Sequence, residues 1–401
     1  MPDRFDGRRI WFVGIGGAGL SGYALLAHAW GARVGGWDRV ETPYLRGLPP
    51  DVQVELSGES SAPTGWEVVV STAFRDRFVS TPGTVTSRAQ FLAEIVALQR
   101  SIVVAGAHGK TTTAGMIAYA LDRAGLDPAY VIGGEIPQLG GNARAGAGWL
   151  VVEGDESDRT IAALRPEIAV VTNVDLDHHS EFASRAELEA LFEEWLAQVP
   201  QVVRGEQLDP VEFELAVPGE HNRRNAAAAL AALELAGMER EAAAAALREF
   251  RGAGRRFELR GEADGVVVYD DYAHHPAEIA AVLAAARESR PEGRVLAVFQ
   301  PHLFSRTRHL ARELASALAA ADAVCVTDVY PAREEPVDGV TGKLVVDALA
   351  EVRPGMAIGW TPELEDAVRF LTRRARPGDL VVTIGAGDVD RAAALMLEEL
   401  S

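Results

Sequence analysis

The run Ser101-Ile102-Val103-Val104-Ala105 leads directly into Gly106-Ala107-His108-Gly109-Lys110-Thr111-Thr112-Thr113, and its reading decides the fold. Four apolar residues behind Ser101 read as a short buried strand, and the glycines that follow mark a tight turn. A helix begins at Lys110. The backbone N–H groups of such a turn cradle phosphates, a lysine there reaches β/γ oxygens, and the Thr111 hydroxyl suits a Mg²⁺. The glycines stand closer together than in the usual G-x-x-x-x-G-K spacing. The chain has 39 lysines and arginines, of which only Lys110 and Lys343 are lysines. A lysine retained in an arginine-using chain marks a place where a compact ammonium is needed.

Working outward, a second glycine turn precedes the first. Gly14-Ile15-Gly16-Gly17-Ala18-Gly19 lies between the strand run Ile10–Val13 and a helix reaching about residue 30. It fits G-x-G-x-x-G, with Asp38 at the end of the next strand, and reads as a nucleotide diphosphate site. Downstream, Glu153-Gly154-Asp155-Glu156-Ser157-Asp158 and Asn173-Val174-Asp175-Leu176-Asp177-His178-His179 each end a strand. Carboxylates and an imidazole beside a phosphate turn can hold Mg²⁺ while phosphates fill the remaining positions. Pro218-Gly219-Glu220-His221-Asn222-Arg223-Arg224-Asn225 opens an alanine-rich helix read as 222–236, with Asn222 as its N-cap. Asp270-Asp271-Tyr272-Ala273-His274-His275-Pro276 and Gln300-Pro301-His302-Leu303-Phe304-Ser305-Arg306-Thr307 end two further strands and line a polar cleft.

Strand–helix alternation along the chain predicts an α/β protein of parallel sheets with both faces covered. Three domains are expected. A Rossmann-like domain spans 1–98, a shortened central P-loop ATPase domain spans 99–255, and a Rossmann-like C-terminal domain spans 256–401.

The chain has 401 residues, 48% of them hydrophobic and 24% charged, an ordinary globular composition. A formal charge of −19 argues against a nucleic-acid or anionic-membrane surface. A single cysteine excludes an intrachain disulfide and a cysteine zinc cluster. Arg8-Arg9, an apolar stretch and Ala27-His28-Ala29 imitate a secretion signal. Asp3, Asp6 and the embedded glycines favour strand, turn and helix instead. No apolar run is long enough to span a bilayer, so a soluble, cytoplasmic protein is expected.

The order of these motifs, with Arg255-Arg256-Phe257-Glu258 and Asp328-Val329-Tyr330-Pro331-Ala332-Arg333-Glu334-Glu335-Pro336, resembles the Mur ligases over nearly the whole chain. The likeness is greatest to members that join L-alanine to UDP-N-acetylmuramate in peptidoglycan synthesis. It implies ATP as co-substrate, Mg²⁺ (or Mn²⁺) as cofactor, and an acyl phosphate attacked by the amine of alanine. Carried over position by position, Lys110, Glu153 and His178 would be catalytic, and Thr111, Glu153 and His178 would be metal ligands. ATP would meet Gly106, His108, Gly109, Lys110, Thr111 and Thr112, with Asn222, Asn225, Arg256 and Asp271 at its base, phosphates and ribose. Gly16, Gly17, Ala18 and Gly19, with Ser71 and Arg88 as neighbours, would face the UDP-sugar. Tyr272, His302 and Arg306 would surround the incoming amino acid. No nucleic-acid or membrane partner is implied, and a monomer or homodimer fits.

The chain departs from the family pattern in three places. Ala107 stands where threonine is common, Leu303 where a basic residue is frequent, and the stretch between His178 and His221 is short. Two other readings stay open. One is a murein-peptide ligase that attaches a recycled tripeptide, and the other a non-catalytic Mur-like nucleotide-binding protein. A nicotinamide oxidoreductase fits only the first glycine motif.

Overall fold

The computed structural model describes residues 4–58, 62–74, 84–156, 159–175, 182, 184–332 and 334–401. Two compact units result, residues 1–216 with 223–253, and residues 217–222 with 254–401.

The first unit holds two sheets. In the first, β1 (Arg9–Val13), α1 (Ala18–Ala29), β2 (Arg33–Asp38), β3 (Gln53–Leu56), β4 (Glu67–Val70), β5 (Val85–Ser87) and α2 (Arg88–Ala97) follow in order. All pairs are parallel, in the strand order β3-β2-β1-β4-β5. Ile10, Trp11, Phe12 and Val13 are fully buried, as a central parallel strand covered on both faces demands. Ser87 caps α2 and shares a reciprocal capping box with Gln90.

In the second sheet come β6 (Ser101–Ala105), α3 (Lys110–Arg123), β7 (Ala129–Ile136), β8 (Gly141–Arg144), β9 (Leu150–Glu153), β10 (Ile168–Val171), α4 (Arg185–Leu196) and β11 (Gln201–Arg204). Helices α5 (Glu220–Leu235) and α6 (Arg240–Glu249) follow. The strand order is β11-β10-β6-β9-β7-β8. Parallel pairing was expected throughout, yet β8 folds back antiparallel on β7. The polar edge strand Gly-Asn-Ala-Arg needs only one covered face, and a short connection permits the return. The alanine-rich helix begins at Glu220, two residues before the expected start. Asn222 therefore sits inside the first turn rather than at the cap, its Nδ2 donating to the Pro218 carbonyl at 2.7 Å.

One hydrophobic core runs through both sheets, from Phe12 and Phe91 to Val131, Leu150 and Trp195. Helix α1 lies so close to β7 that a Cβ on Gly22 would stand 2.4 Å from Val131 Cγ1. Phe5 and Phe12 pack around Phe91, and each such buried ring contributes about 1.5–3 kcal/mol.

The second unit is built on β12 (Glu258–Ala263), β13 (Val266–Asp271), α7 (Pro276–Ser289), β14 (Val295–Phe299), α8 (Phe304–Leu318), β15 (Ala323–Val326) and α9 (Lys343–Val352). Then come β16 (Ala357–Trp360), α10 (Leu364–Thr372), β17 (Leu380–Ile384) and α11 (Asp390–Leu400). The strand order is β12-β13-β17-β14-β15-β16, and the pairs are parallel except the β12–β13 hairpin. Helix layers cover both faces of this sheet. Among the described residues, no helix is long and apolar enough to cross a membrane.

Candidate active site

Ligands of open parallel sheets gather at the carboxyl ends of strands where the connection reverses direction. In the second sheet β6 lies between β9 and β10. The loops after these three strands are the lysine turn, the acidic run from Glu153, and the run from Thr172.

Gly106 has φ +128°, and a Cβ there would stand 2.3 Å from Thr172 Oγ1. Gly109 has φ +82°, and its Cβ would meet Asn225 Oδ1 at 2.3 Å. Only glycine fits either place, in conformation and in space. Asn173 braces the turn between them. Its Oδ1 accepts from His108 N–H at 2.9 Å, and its Nδ2 donates to the His108 carbonyl at 2.9 Å. The Thr172 hydroxyl donates to the same carbonyl at 2.6 Å. Helix α3 starts behind Gly109 with no side-chain cap, so its first N–H groups face the turn.

Lys110 is largely buried. Its Nζ donates to the Gly106 carbonyl at 2.5 Å and to both carboxylate oxygens of Glu156 at 3.1 Å. Glu156 is itself 2% exposed. Burial works against the ammonium, but Glu156, Asp155 and Glu153 outweigh it and hold Lys110 above the usual lysine value. Burial pushes the Glu156 carboxyl up, and Lys110 opposes it.

The Thr111 hydroxyl donates to Glu153 Oε2 at 3.2 Å, and Gly133 N–H donates to Glu153 Oε1 at 2.6 Å. Adjacent oxygens on an octahedral Mg²⁺ with ~2.1 Å bonds lie ~3 Å apart, so this pair of hard oxygens fits that ion. The third expected ligand, His178, lies outside the described residues.

In the first sheet the glycine turn follows β1, between β2 and β4. Asp38, at the end of β2, accepts the Gly16 N–H at 2.7 Å, and the Thr42 hydroxyl donates to the Gly16 carbonyl at 2.7 Å. The Asp38 carboxylate thus braces the turn itself. Gly17 caps α1 without a side-chain bond, so the helix start at Ala18 and Gly19 is open to an anion. Ser71 donates its N–H to Val13 at 3.0 Å, beside Gly14. The Arg88 guanidinium would stand 3.6 Å from a Cβ on Gly19 and pairs with Asp155 at 3.4 Å. Arg88 therefore joins the first glycine turn to the acidic run beside Lys110.

The second unit gathers its polar groups at the ends of β13, β14, β15 and β17. Asp271 is 4% exposed, and its two oxygens accept the N–H groups of Phe257 and Ala273, each at 2.7 Å. Burial pushes its carboxyl up to about 7 against the pull of Arg256 and those bonds. The guanidiniums of Arg255 and Arg256 each lie 5.2 Å from the Tyr272 ring. The Tyr272 and His274 rings stand 5.7 Å apart, as do those of His274 and His302. Arg306 Nη1 reaches His302 Nδ1 at 3.2 Å. Tyr272, His302 and Arg306 are thus brought together, with His274 between them. Leu303, at the start of α8, has φ +70°, an uncommon conformation for a branched residue.

Three residues that carry this geometry have no individual role legible in the sequence. Asn173, Glu156 and His274 all lie inside quoted motifs, but only the sheet order reveals what each one touches.

The description "Mur ligase middle domain" matches residues 104–204, and "Mur ligase, glutamate ligase domain" matches residues 255–387. The UDP-N-acetylmuramate–L-alanine ligase of Renibacterium salmoninarum is 40% identical over 454 residues, covering 98% of this chain and 96% of the relative. That of Rubrobacter xylanophilus is 40% identical over 448 residues, covering 98% and 100%. Both alignments are longer than the 401-residue chain, so these relatives carry residues with no counterpart here. The crystal structure of the UDP-N-acetylmuramate–alanine ligase from Thermotoga maritima matches with a TM-score of 0.80 at 27% identity, covering 98% of each chain. A murein peptide ligase from Psychrobacter arcticus shares the fold, with a TM-score of 0.66 at 24% identity, covering 98% of this chain and 99% of that one. With relatives of that identity along almost its entire length, this chain belongs to the Mur ligase family.

Proposed function

We propose that this chain joins L-alanine to the lactyl carboxylate of UDP-N-acetylmuramate, using ATP, as a cytoplasmic step of peptidoglycan synthesis. One observation carries the reading. Lys110, Thr111 and Glu153 form one cluster at a phosphate turn, in a chain 40% identical over 98% of its length to a UDP-N-acetylmuramate–L-alanine ligase. The domains would divide near residues 98 and 255.

A carboxylate is a poor electrophile, so its oxygen must first become a leaving group. The lactyl carboxylate attacks the γ-phosphorus, ADP departs, and an acyl phosphate remains. The alanine amine then adds to the acyl carbon, and the tetrahedral intermediate expels phosphate. The protein's part is position and charge. Lys110 exchanges Glu156 for phosphate oxygens, and the uncapped start of α3 offers N–H donors to the same anion. Thr111, Glu153 and His178 would hold a Mg²⁺, which supplies the charge that neutralises the phosphates. The glycine turn at Gly16–Gly19, with Ser71 and Arg88, takes the UDP diphosphate. Asn222, Asn225, Arg256 and Asp271 take the remainder of ATP. Arg306, with its planar fork of donors, takes the alanine carboxylate beside Tyr272 and His302.

ADP release with ATP, Mg²⁺ and UDP-N-acetylmuramate tests the reading. ADP that appears only with L-alanine is the expected result. A response only to a muropeptide tripeptide would move the activity to recycling. Silence with both, in a folded ATP-binding protein, would favour the non-catalytic reading.

A further inference from the structure

Tyr330 follows β15, and its backbone is tied to the loop after β14. Its N–H donates to the Pro301 carbonyl at 2.8 Å, and its carbonyl accepts the Leu303 N–H at 3.0 Å. These bonds bracket His302, which forms an isolated parallel bridge with Tyr330. The rings follow the backbones, with centroids 5.9 Å apart and planes at 12°. The tyrosine ring also lies against Gly387, after β17, where a Cβ would stand 2.5 Å from Tyr330 Cγ. A Cβ at 387 would also stand 2.2 Å from Gln300 Oε1, so any side chain there would displace the ring and Gln300 together.

The torsion that rotates an imidazole is broad, so an unconstrained histidine presents its nitrogens in many directions. A parallel ring restricts that rotation. The contact between Arg306 Nη1 and His302 Nδ1 at 3.2 Å is consistent with one tautomer. A guanidinium has donors and no acceptor, so Nδ1 accepts, and the neutral ring carries its hydrogen on Nε2.

We infer that Tyr330, seated on Gly387, is a positioning residue that sets the plane of the His302 imidazole while Arg306 sets its tautomer, so that His302 offers Nε2–H as a hydrogen-bond donor to the carboxylate of the incoming amino acid. The inference rests on the reading of Tyr272, His302 and Arg306 as the amino-acid site. A carboxylate accepts at both oxygens, and a neutral N–H donor beside Arg306 adds direction without adding charge.

Initial rates of the full chain, with L-alanine varied at saturating ATP and UDP-N-acetylmuramate, test it. Tyr330→Leu raises KM for L-alanine about tenfold or more, the loss of one well-aimed hydrogen bond to a charged group. KM for ATP stays within about twofold. Tyr330→Phe keeps the stacked ring and restores KM for L-alanine to within about twofold of the native value. Gly387→Ala displaces the ring and behaves like Tyr330→Leu. An unchanged alanine KM in Tyr330→Leu overturns the inference, as does Tyr330→Phe proving as harmful as Tyr330→Leu. A parallel rise in KM for all substrates overturns it too. Arg306→Ala is measured alongside. If it raises alanine KM while Tyr330→Leu does not, the site stands and the positioning role falls. If neither changes it, the site reading itself fails. A readout that needs no Tyr330 variant is the ¹⁵N spectrum of histidine-labelled protein, with His302→Gln for assignment. A protonated Nε2 and an unprotonated Nδ1 are expected at His302, and the opposite tautomer overturns the inference.

Discussion

Lys110 has no substitute in the first unit. Its ammonium is buried against Glu156, and the next lysine in the chain is Lys343. If that charge meets the phosphates, its loss costs transition-state stabilisation, so Lys110→Ala lowers kcat/KM at least ~10³-fold, or about 4 kcal/mol. Steady-state rates check this, with circular dichroism to establish that the variant is folded; near-normal turnover would remove Lys110 from the chemistry. Asp271 gives a prediction in pH. Its folded value of about 7 lies above the ordinary 3.8, so between these values the folded protein holds a proton that the unfolded chain releases. Its contribution to stability is fully present below about pH 4 and is lost as pH rises through 7. Asp270 and Glu156 are shifted up by burial as well, so the slope is shared. Asp271→Asn therefore makes the fall in Tm from pH 5 to 8 shallower. Parallel curves for the native protein and the variant would contradict this.

At the scale of elements, the strands that reach the site were the legible ones. Runs 10–13 and 102–105 are uniformly apolar because both faces of a central parallel strand are covered. Strands β8 and β12, Gly-Asn-Ala-Arg and Glu-Leu-Arg-Gly-Glu-Ala, lie at sheet edges and half in solvent, and their polar residues hid them. The start of α5 was displaced by two residues. Asn222 has a capping side chain, but it uses that chain on the preceding turn. The glycine turn between β6 and α3 carries the sharpest test at this scale. Gly109→Ala places a methyl where Asn225 Oδ1 already lies and forces alanine to positive φ, so loss of nucleotide binding is expected. Calorimetric titration with ATP reads it, and unchanged affinity would mean that α5 does not set the shape of the turn.

Over the whole molecule, both glycine turns follow inner strands of sheets that share one hydrophobic core. That arrangement was only partly legible. The glycine motifs marked each turn, but residues distant in sequence, such as Gly22 and Val131, bind the first two sheets into one unit. The contacts of Glu156 and Tyr330 were hidden for the same reason, since each depends on a neighbour supplied by another strand. A net charge of −19 makes local cations decisive, because distant surface carboxylates are screened beyond ~8 Å. On the proposed reading, Lys110, Arg88 and the two helix starts would provide the field that admits two anionic substrates.

On the proposed reading the lactyl carboxylate is activated by phosphorylation and then captured by alanine. UDP-N-acetylmuramate prepared with ¹⁸O in that carboxylate, turned over with ATP and L-alanine, reports this in the phosphate released. One ¹⁸O in each phosphate is predicted, because the carboxylate oxygen leaves with the phosphorus. Unlabelled phosphate, with product amide still formed, would rule out an acyl phosphate.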